Sequence, residues 1–204
     1  MGMGIMKIGL LGGTFDPIHN GHLHLAQEAL IQEDLDKVIF IPAGNPWMKS
    51  DLKVSDSGIR KHMVDISIID NAKFFSSDIE LIRDGPTYTS DTLEELVGRY
   101  RNQDQFFLIL GSDAIETFPL WKNPKRILEL TKLIFAERKY ELSPTVLKEL
   151  SRISDISGKI IFLKSKMLDI SSSEIRRKIS EGESLQGLVP NQVQEFISRL
   201  KIYK

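Results

Sequence analysis

Apolar residues run consecutively in several short stretches of this chain and recur at helical spacing between them. Val38-Ile39-Phe40, Phe106-Phe107-Leu108-Ile109-Leu110 and Leu133-Ile134-Phe135 show no polar alternation, the pattern of strands buried on both faces. They fall within six predicted strands, 7–11, 37–42, 73–77, 105–110, 132–137 and 159–164. Between them, apolar positions three and four apart predict helices over 22–32, 57–70, 90–101, 124–130 and 144–153. Alternation of this kind specifies an α/β fold: a doubly wound, mainly parallel, Rossmann-like sheet of about six strands, covered by helices on both sides. After residue 171 the pattern changes. Helices over 172–181 and 190–201 follow one another with no strand between, the second opened by Pro190 and striped by Val193, Phe196, Ile197 and Leu200. A single domain over 1–204 is expected, with a sheet core over 1–168 and a C-terminal helical pair over 169–204 packed beside it.

Composition narrows the chemistry. A chain of 204 residues buries roughly 70% of its unfolded surface and needs no disulfide or structural metal. With 0 cysteines, thiolate zinc sites and cysteine nucleophiles are excluded. No apolar run reaches the length of a membrane span, and the first residues lead into a strand rather than a signal peptide, so the expected location is cytoplasmic, with no membrane partner. A net charge of −1 argues against a nucleic-acid partner. Any bound anion must be held by a local arrangement. The composition leaves room for a homo-oligomer.

In a doubly wound sheet, ligands bind beyond the carboxyl ends of the strands, so the loops after strands carry the chemistry. The loop after the first strand reads Gly12-Gly13-Thr14-Phe15-Asp16-Pro17-Ile18-His19-Asn20-Gly21-His22. It is neither the GxGxxG dinucleotide fingerprint nor the GxxxxGK[ST] phosphate loop, but it rests on related physics. Glycines admit a ligand close to the backbone, and the following helix start offers free N–H groups and the positive end of a dipole. His19 and His22 then supply donors to one place. As imidazolium ions they would offset charge developing on a transferred phosphate. His24 faces another side of the helix and is read as non-catalytic.

A second cluster, Ile170-Ser171-Ser172-Ser173-Glu174-Ile175-Arg176, opens a helix near the other end. Ser171 and Glu174 have the spacing of a capping box. Capping leaves the remaining hydroxyls and Arg176 without a role, and hydroxyls with a guanidinium fork suit a polyphosphate.

Together these segments resemble the GxFxPxHxGH and ISSTxIR signatures of the nucleotidyltransferase superfamily. Within it the chain is most similar to the bacterial nicotinate-nucleotide adenylyltransferases. Pro42-Ala43-Gly44-Asn45-Pro46 with Lys49, the stretch Tyr88 to Leu93, Gly111-Ser112-Asp113, Trp121 and the closing Leu188-Val189-Pro190 extend the likeness over essentially the whole chain. The resemblance implies transfer of the adenylyl group of ATP to nicotinate mononucleotide, giving deamido-NAD and pyrophosphate, with nicotinamide mononucleotide or another phosphorylated acceptor as the alternative. A nucleotide-binding sensor on the same fold is a further, non-enzymatic alternative. In this reading Gly13, Thr14, Phe15, His19 and His22 meet ATP phosphates, Ser171, Ser172 and Arg176 hold the departing pyrophosphate, and Ile170 also belongs to the ATP site. Gly111 and Asp113 face the ribose, and Lys49, Tyr88, Thr89 and Trp121 line the mononucleotide half, with Trp121 stacked on the pyridine ring. Mg²⁺ is expected with ATP, held by phosphates and water rather than by a protein cage. Two segments depart from the family pattern: Trp47-Met48 replace Pro-His in the loop bearing Lys49, and Ser173 replaces the threonine of the second signature.

Overall fold

The computed structural model describes residues 4–45, 54–111, 114–136, 144–153 and 155–204. The chain runs β1 (Lys7–Gly13), α1 (Asn20–Gln32), β2 (Lys37–Pro42), α2 (Ser57–Ile68), β3 (Phe74–Ser76), α3 (Thr89–Val97), β4 (Gln105–Leu110), α4 (Ala114–Thr117), α5 (Pro124–Leu130), β5 (Lys132–Phe135), α6 (Pro144–Ile153), β6 (Ile160–Phe162), α7 (Ser172–Ser180) and α8 (Asn191–Leu200). The six strands form one parallel sheet in the order β3-β2-β1-β4-β5-β6. This is the doubly wound arrangement read from the sequence.

Consecutive apolar residues in the strands serve two cores, because successive side chains leave a strand on opposite faces. Val38, Phe40, Phe107, Ile109 and Ile134 face one side, with Ala26 and Ala29 of α1, Met63 and Val64 of α2, Ile175 of α7, and Val193 and Ile197 of α8. Ile8, Leu10, Ile39, Ile41, Leu108, Leu133 and Phe135 face the other, with Leu93 and Leu96 of α3, Ile127 and Leu128 of α5, and Leu150 of α6. The two C-terminal helices therefore complete the first core, α8 lying against α2.

Strand order reverses at β1 and β4, the point where such sheets form a crevice. Leu11 pairs with Ile109, so Gly13 and Gly111 leave the two strands side by side. Several boundaries shift from the sequence expectation. Helix α1 begins at Asn20, which makes His19 its N-cap and places His22 in its first turn. Helix α3 stops at Val97, before Gly98. The edge strands β3 and β6, each with a single neighbour, keep three residues each. Helix α4 and the 3-10 turn Phe118–Leu120 are too short for a periodic signal. Among the described residues no helix is long and apolar enough to cross a membrane.

Gly9 shows how tightly β1 is covered. A Cβ there would lie 2.9 Å from both Ile109 Cδ1 and Leu35 Cδ1 and 3.1 Å from Val38 Cγ2. Overpacking at such a site costs about 1–3 kcal/mol, so Gly9→Val is expected to lower the unfolding free energy by that amount, read as a lower urea midpoint with an unchanged slope. A midpoint equal to wild type would show that the first core yields freely at β1.

Candidate active site

The turn after β1 is held by its carbonyls. Gly13 O accepts from Ala43 N at 2.8 Å, and Thr14 O from Arg60 Nη1 at 2.8 Å. Asp16 O accepts from Arg176 Nη1 at 2.7 Å, and Pro17 O from Ser172 Oγ at 2.9 Å. A trans peptide is planar with its C=O and N–H opposed, so the Thr14 and Phe15 amide hydrogens point away from Ala43 and Arg60. Phe15 takes a left-handed backbone with φ 50. Its buried ring packs edge-on against His22, centroids 5.0 Å apart, and against Phe40.

His19 is the N-cap residue of α1 and His22 lies three residues later, positions that face each other across the first turn. Their rings stack with centroids 3.6 Å apart, and His19 N donates to His22 Nδ1 at 3.3 Å. Gly21 makes room for this: a Cβ there would sit 3.0 Å from His19 Nδ1 and 3.6 Å from Ile170 Cβ. His19 Nδ1 is buried without a hydrogen-bond partner among the described residues. Burial pushes the His19 imidazole from 6.5 down to about 4. Burial thus favours the neutral His19 ring in the ligand-free fold, where the sequence reading expected an imidazolium facing phosphate. His24, read from the sequence as non-catalytic, has its Nε2 3.1 Å from Lys166 O.

Helix α7 meets this turn through the Arg176 and Ser172 contacts, which occupy side-chain donors that the sequence reading gave wholly to phosphates. Arg176 Nη2 also donates to Ser173 Oγ at 3.2 Å. Ser171 Oγ caps Glu174 N at 3.2 Å, but the expected reciprocal half of the box is replaced, because the Glu174 carboxylate pairs with Arg177 at 2.7 Å. Ile170 is half-buried against the first core.

Beside the turn a cavity of about 330 Å³ opens at the carboxyl ends of β1 and β4. Gly13, Thr14, Tyr88, Thr89, Gly111 and Trp121 all line it, joining predicted residues from both halves of the site. His19, His22, Ser171, Ser172 and Arg176 gather at the neighbouring turn instead. Trp121 packs on Phe118, centroids 5.5 Å apart, and is half-buried rather than open, its Nε1 having no hydrogen-bond partner among the described residues. Lys122 lies over the Tyr88 ring at 4.4 Å and pairs with Asp91 at 2.9 Å. Lys49, Asp113 and the Trp47-Met48 pair lie outside the described residues.

The sequence reading missed Arg60, Asp16 and Gly44. Arg60 is 2% exposed and donates to Ser55 O at 2.9 Å, Thr14 O at 2.8 Å and Gly44 O at 3.4 Å, tying the loops after β1 and β2 together. Burial lowers its guanidinium from the ordinary value while Asp16 pulls it back up. A signal existed: Arg60, Met63, Val64 and Ile68 share one stripe of α2, so a cation stands where an apolar residue belongs. At Gly44 a Cβ would fall 2.1 Å from Glu80 O, which requires glycine.

The His19 shift has a testable sign. The unfolded chain takes up this proton near pH 6.5 and the folded chain only near 4, so stability from this group is complete above 6.5 and drains away as pH falls towards 4. The loss amounts to about 3 kcal/mol. His19→Gln should flatten the unfolding free energy between pH 7 and 4.5 by most of that amount in urea titrations. Parallel wild-type and variant profiles would place the proton uptake elsewhere.

Residues 10–178 match the family described as Cytidylyltransferase-like. A Clostridium novyi protein named probable nicotinate-nucleotide adenylyltransferase is 40% identical over 199 residues, covering 97% of this chain and 99% of that protein. A Dehalococcoides mccartyi protein of the same name is 38% identical over 198 residues, covering 97% of each. Among solved structures, Plasmodium falciparum nicotinic acid mononucleotide adenylyltransferase complexed with NaAD shares the fold, with a TM-score of 0.78, 22% identity and 97% of both chains covered. Its complex with APC gives 0.77 at 21% identity and the same coverage. With a glycine turn, a paired histidine helix start and a serine-led helix converging at the strand-order reversal, the chain belongs to the nicotinate-nucleotide adenylyltransferase family of cytidylyltransferase-like proteins.

Proposed function

We propose that this protein transfers the adenylyl group of ATP to nicotinate mononucleotide, forming deamido-NAD and pyrophosphate in NAD biosynthesis. The observation that carries this reading is the grip of α7 on the turn: Arg176 and Ser172 hold the carbonyls of Asp16 and Pro17 beside the cavity that runs from Gly13 to Trp121. A phosphate oxygen of the mononucleotide attacks the α-phosphorus in line, the bond from that phosphorus to the bridging oxygen breaks, and its electron pair leaves with pyrophosphate. No covalent intermediate on the protein is needed. Catalysis then consists of placing two anions and stabilising the charge that shifts towards the leaving group.

The Thr14 and Phe15 amides and the neutral His19 ring are the donors assigned to the α-phosphate, with His22 held in line by Phe15 and His19. Ser171, Ser172 and Arg176 are assigned to the β- and γ-phosphates. The donors that Arg176 keeps beyond its bonds to Asp16 O and Ser173 Oγ are assigned there. Gly111 and Asp113 are assigned to the ribose. The mononucleotide is placed along Tyr88, Thr89 and Trp121, whose ring supplies the stacking face, with Lys49 assigned to the same half. Mg²⁺ bound to the triphosphate would supply screening of the charge on the departing pyrophosphate, and we assign its coordination to phosphate oxygens and water. We place the reaction in the cytoplasm, on freely diffusing nucleotides.

A pyrophosphate-release assay with ATP and each mononucleotide tests the reading. Release with nicotinate mononucleotide supports it. Release confined to nicotinamide mononucleotide changes the acceptor, and none with either leaves a nucleotide-binding protein. His19→Ala should lower turnover by about 10²-fold while thermal melting at neutral pH keeps a single cooperative transition. Trp121→Ala should raise the KM for the mononucleotide far more than that for ATP. Equal increases would refute the stacking role.

A further inference from the structure

Beneath the turn lies a buried polar cluster that the reaction does not use directly. Asp16 is 4% exposed. Its carboxylate accepts from Ser55 N at 3.2 Å through Oδ2 and from the Tyr203 hydroxyl at 2.5 Å through Oδ1, while its own carbonyl holds Arg176 at 2.7 Å. The Arg60 guanidinium stands close enough to feel its charge. Asp16 is thus fastened on both sides: its backbone belongs to the phosphate-facing turn, and its side chain to residues 55 and 203.

Tyr203 reaches this position at a conformational cost. It follows α8, where Lys201 caps the helix with a left-handed backbone of φ 53, and Tyr203 itself takes φ 67. A bulky residue adopts that region only when its surroundings over-determine it. Here the Tyr203 ring packs on the first core and its hydroxyl closes on Asp16. Burial, followed by the Asp16 bond, holds the phenol above its ordinary range, so it remains a donor throughout the neutral pH range.

We propose that Tyr203 is a positioning residue for the phosphate-facing turn, acting through the Asp16 carboxylate to fix the Asp16 carbonyl where Arg176 grips it and the Thr14–His19 backbone where the α-phosphate must sit. The proposal rests on the adenylyl-transfer reading only for the identity of the ligand; the mechanical link between Tyr203 and the turn stands apart from it. Misplacing a reacting group by a fraction of an ångström is enough to slow a transfer reaction while binding survives.

Tyr203→Phe keeps the ring and removes the single hydroxyl. In the full-length protein, kcat is expected to fall by about tenfold with both KM values within about threefold of wild type. Amide hydrogen exchange of the segment 12–19 should quicken by about tenfold, with little change at 193–197 in α8. In an Asp16→Ala background, which removes the acceptor, the same substitution should change neither quantity by more than about twofold, because its partner is already gone. Wild-type kcat in Tyr203→Phe, an unchanged exchange rate over 12–19, or a uniform increase across the protein would each overturn the proposal. If wild-type protein releases no pyrophosphate with any mononucleotide, the adenylyl-transfer reading fails, and the exchange of 12–19 alone then decides for or against the Tyr203 link.

Discussion

The carbonyl groups of Gly13, Thr14, Asp16 and Pro17 are bound from behind, and the site depends on that constraint. Four donors from three places in the chain, Ala43 N after β2, Arg60 of α2, and Arg176 and Ser172 of α7, each take one of them. A buried carbonyl left without a partner costs about 1–3 kcal/mol, so the turn cannot rotate its peptides without losing several such bonds together. Its amides are therefore committed to the opposite side before any ligand arrives. Donors arranged in advance are what a transferred phosphate needs, since they require no rearrangement while charge moves.

That arrangement follows from how the sheet is covered. Apolar residues on both faces of β1, β2, β4 and β5 demand two helical layers, and the first is finished only when α7 and α8 add Ile175, Val193 and Ile197. Covering the first core carries Arg176 and Ser172 over the end of β1. Asn20 reinforces the same closure: its backbone N donates to Leu188 O and its side chain to Gly187 O, both at 2.9 Å. Packing and site assembly are one event here, because the element that completes the core also grips the turn.

Charge is distributed with the same economy. The buried charged residues, Arg60 and Asp16, sit behind the turn, Arg60 on backbone carbonyls and Asp16 on Ser55 N and the Tyr203 hydroxyl, whereas burial favours the neutral form of His19. A fixed cation buried at His19 would bear a desolvation penalty whenever the site stood open to no anion. Placing the permanent charge behind the backbone lets peptide dipoles present positive character forwards without that cost.

By itself the sequence determined the elements with a strong local signal and the short segments whose chemistry is contiguous. Unbroken apolar runs such as Phe106 to Leu110 marked doubly buried strands, and the spacing of His19, Gly21 and His22 marked a helix start with two paired rings, because each is set by residues a few positions apart. What only the tertiary structure decided depends on partners distant in the chain. Arg60 reads as an ordinary helix cation until Thr14, 46 positions away, is brought to it, and Asp16 as a turn residue until Tyr203, 187 positions away, arrives. Periodicity reports which face of an element is buried, but not which other element buries it. The neutral state of His19 has the same origin: desolvation belongs to the assembled fold, and no neighbour in sequence sets it.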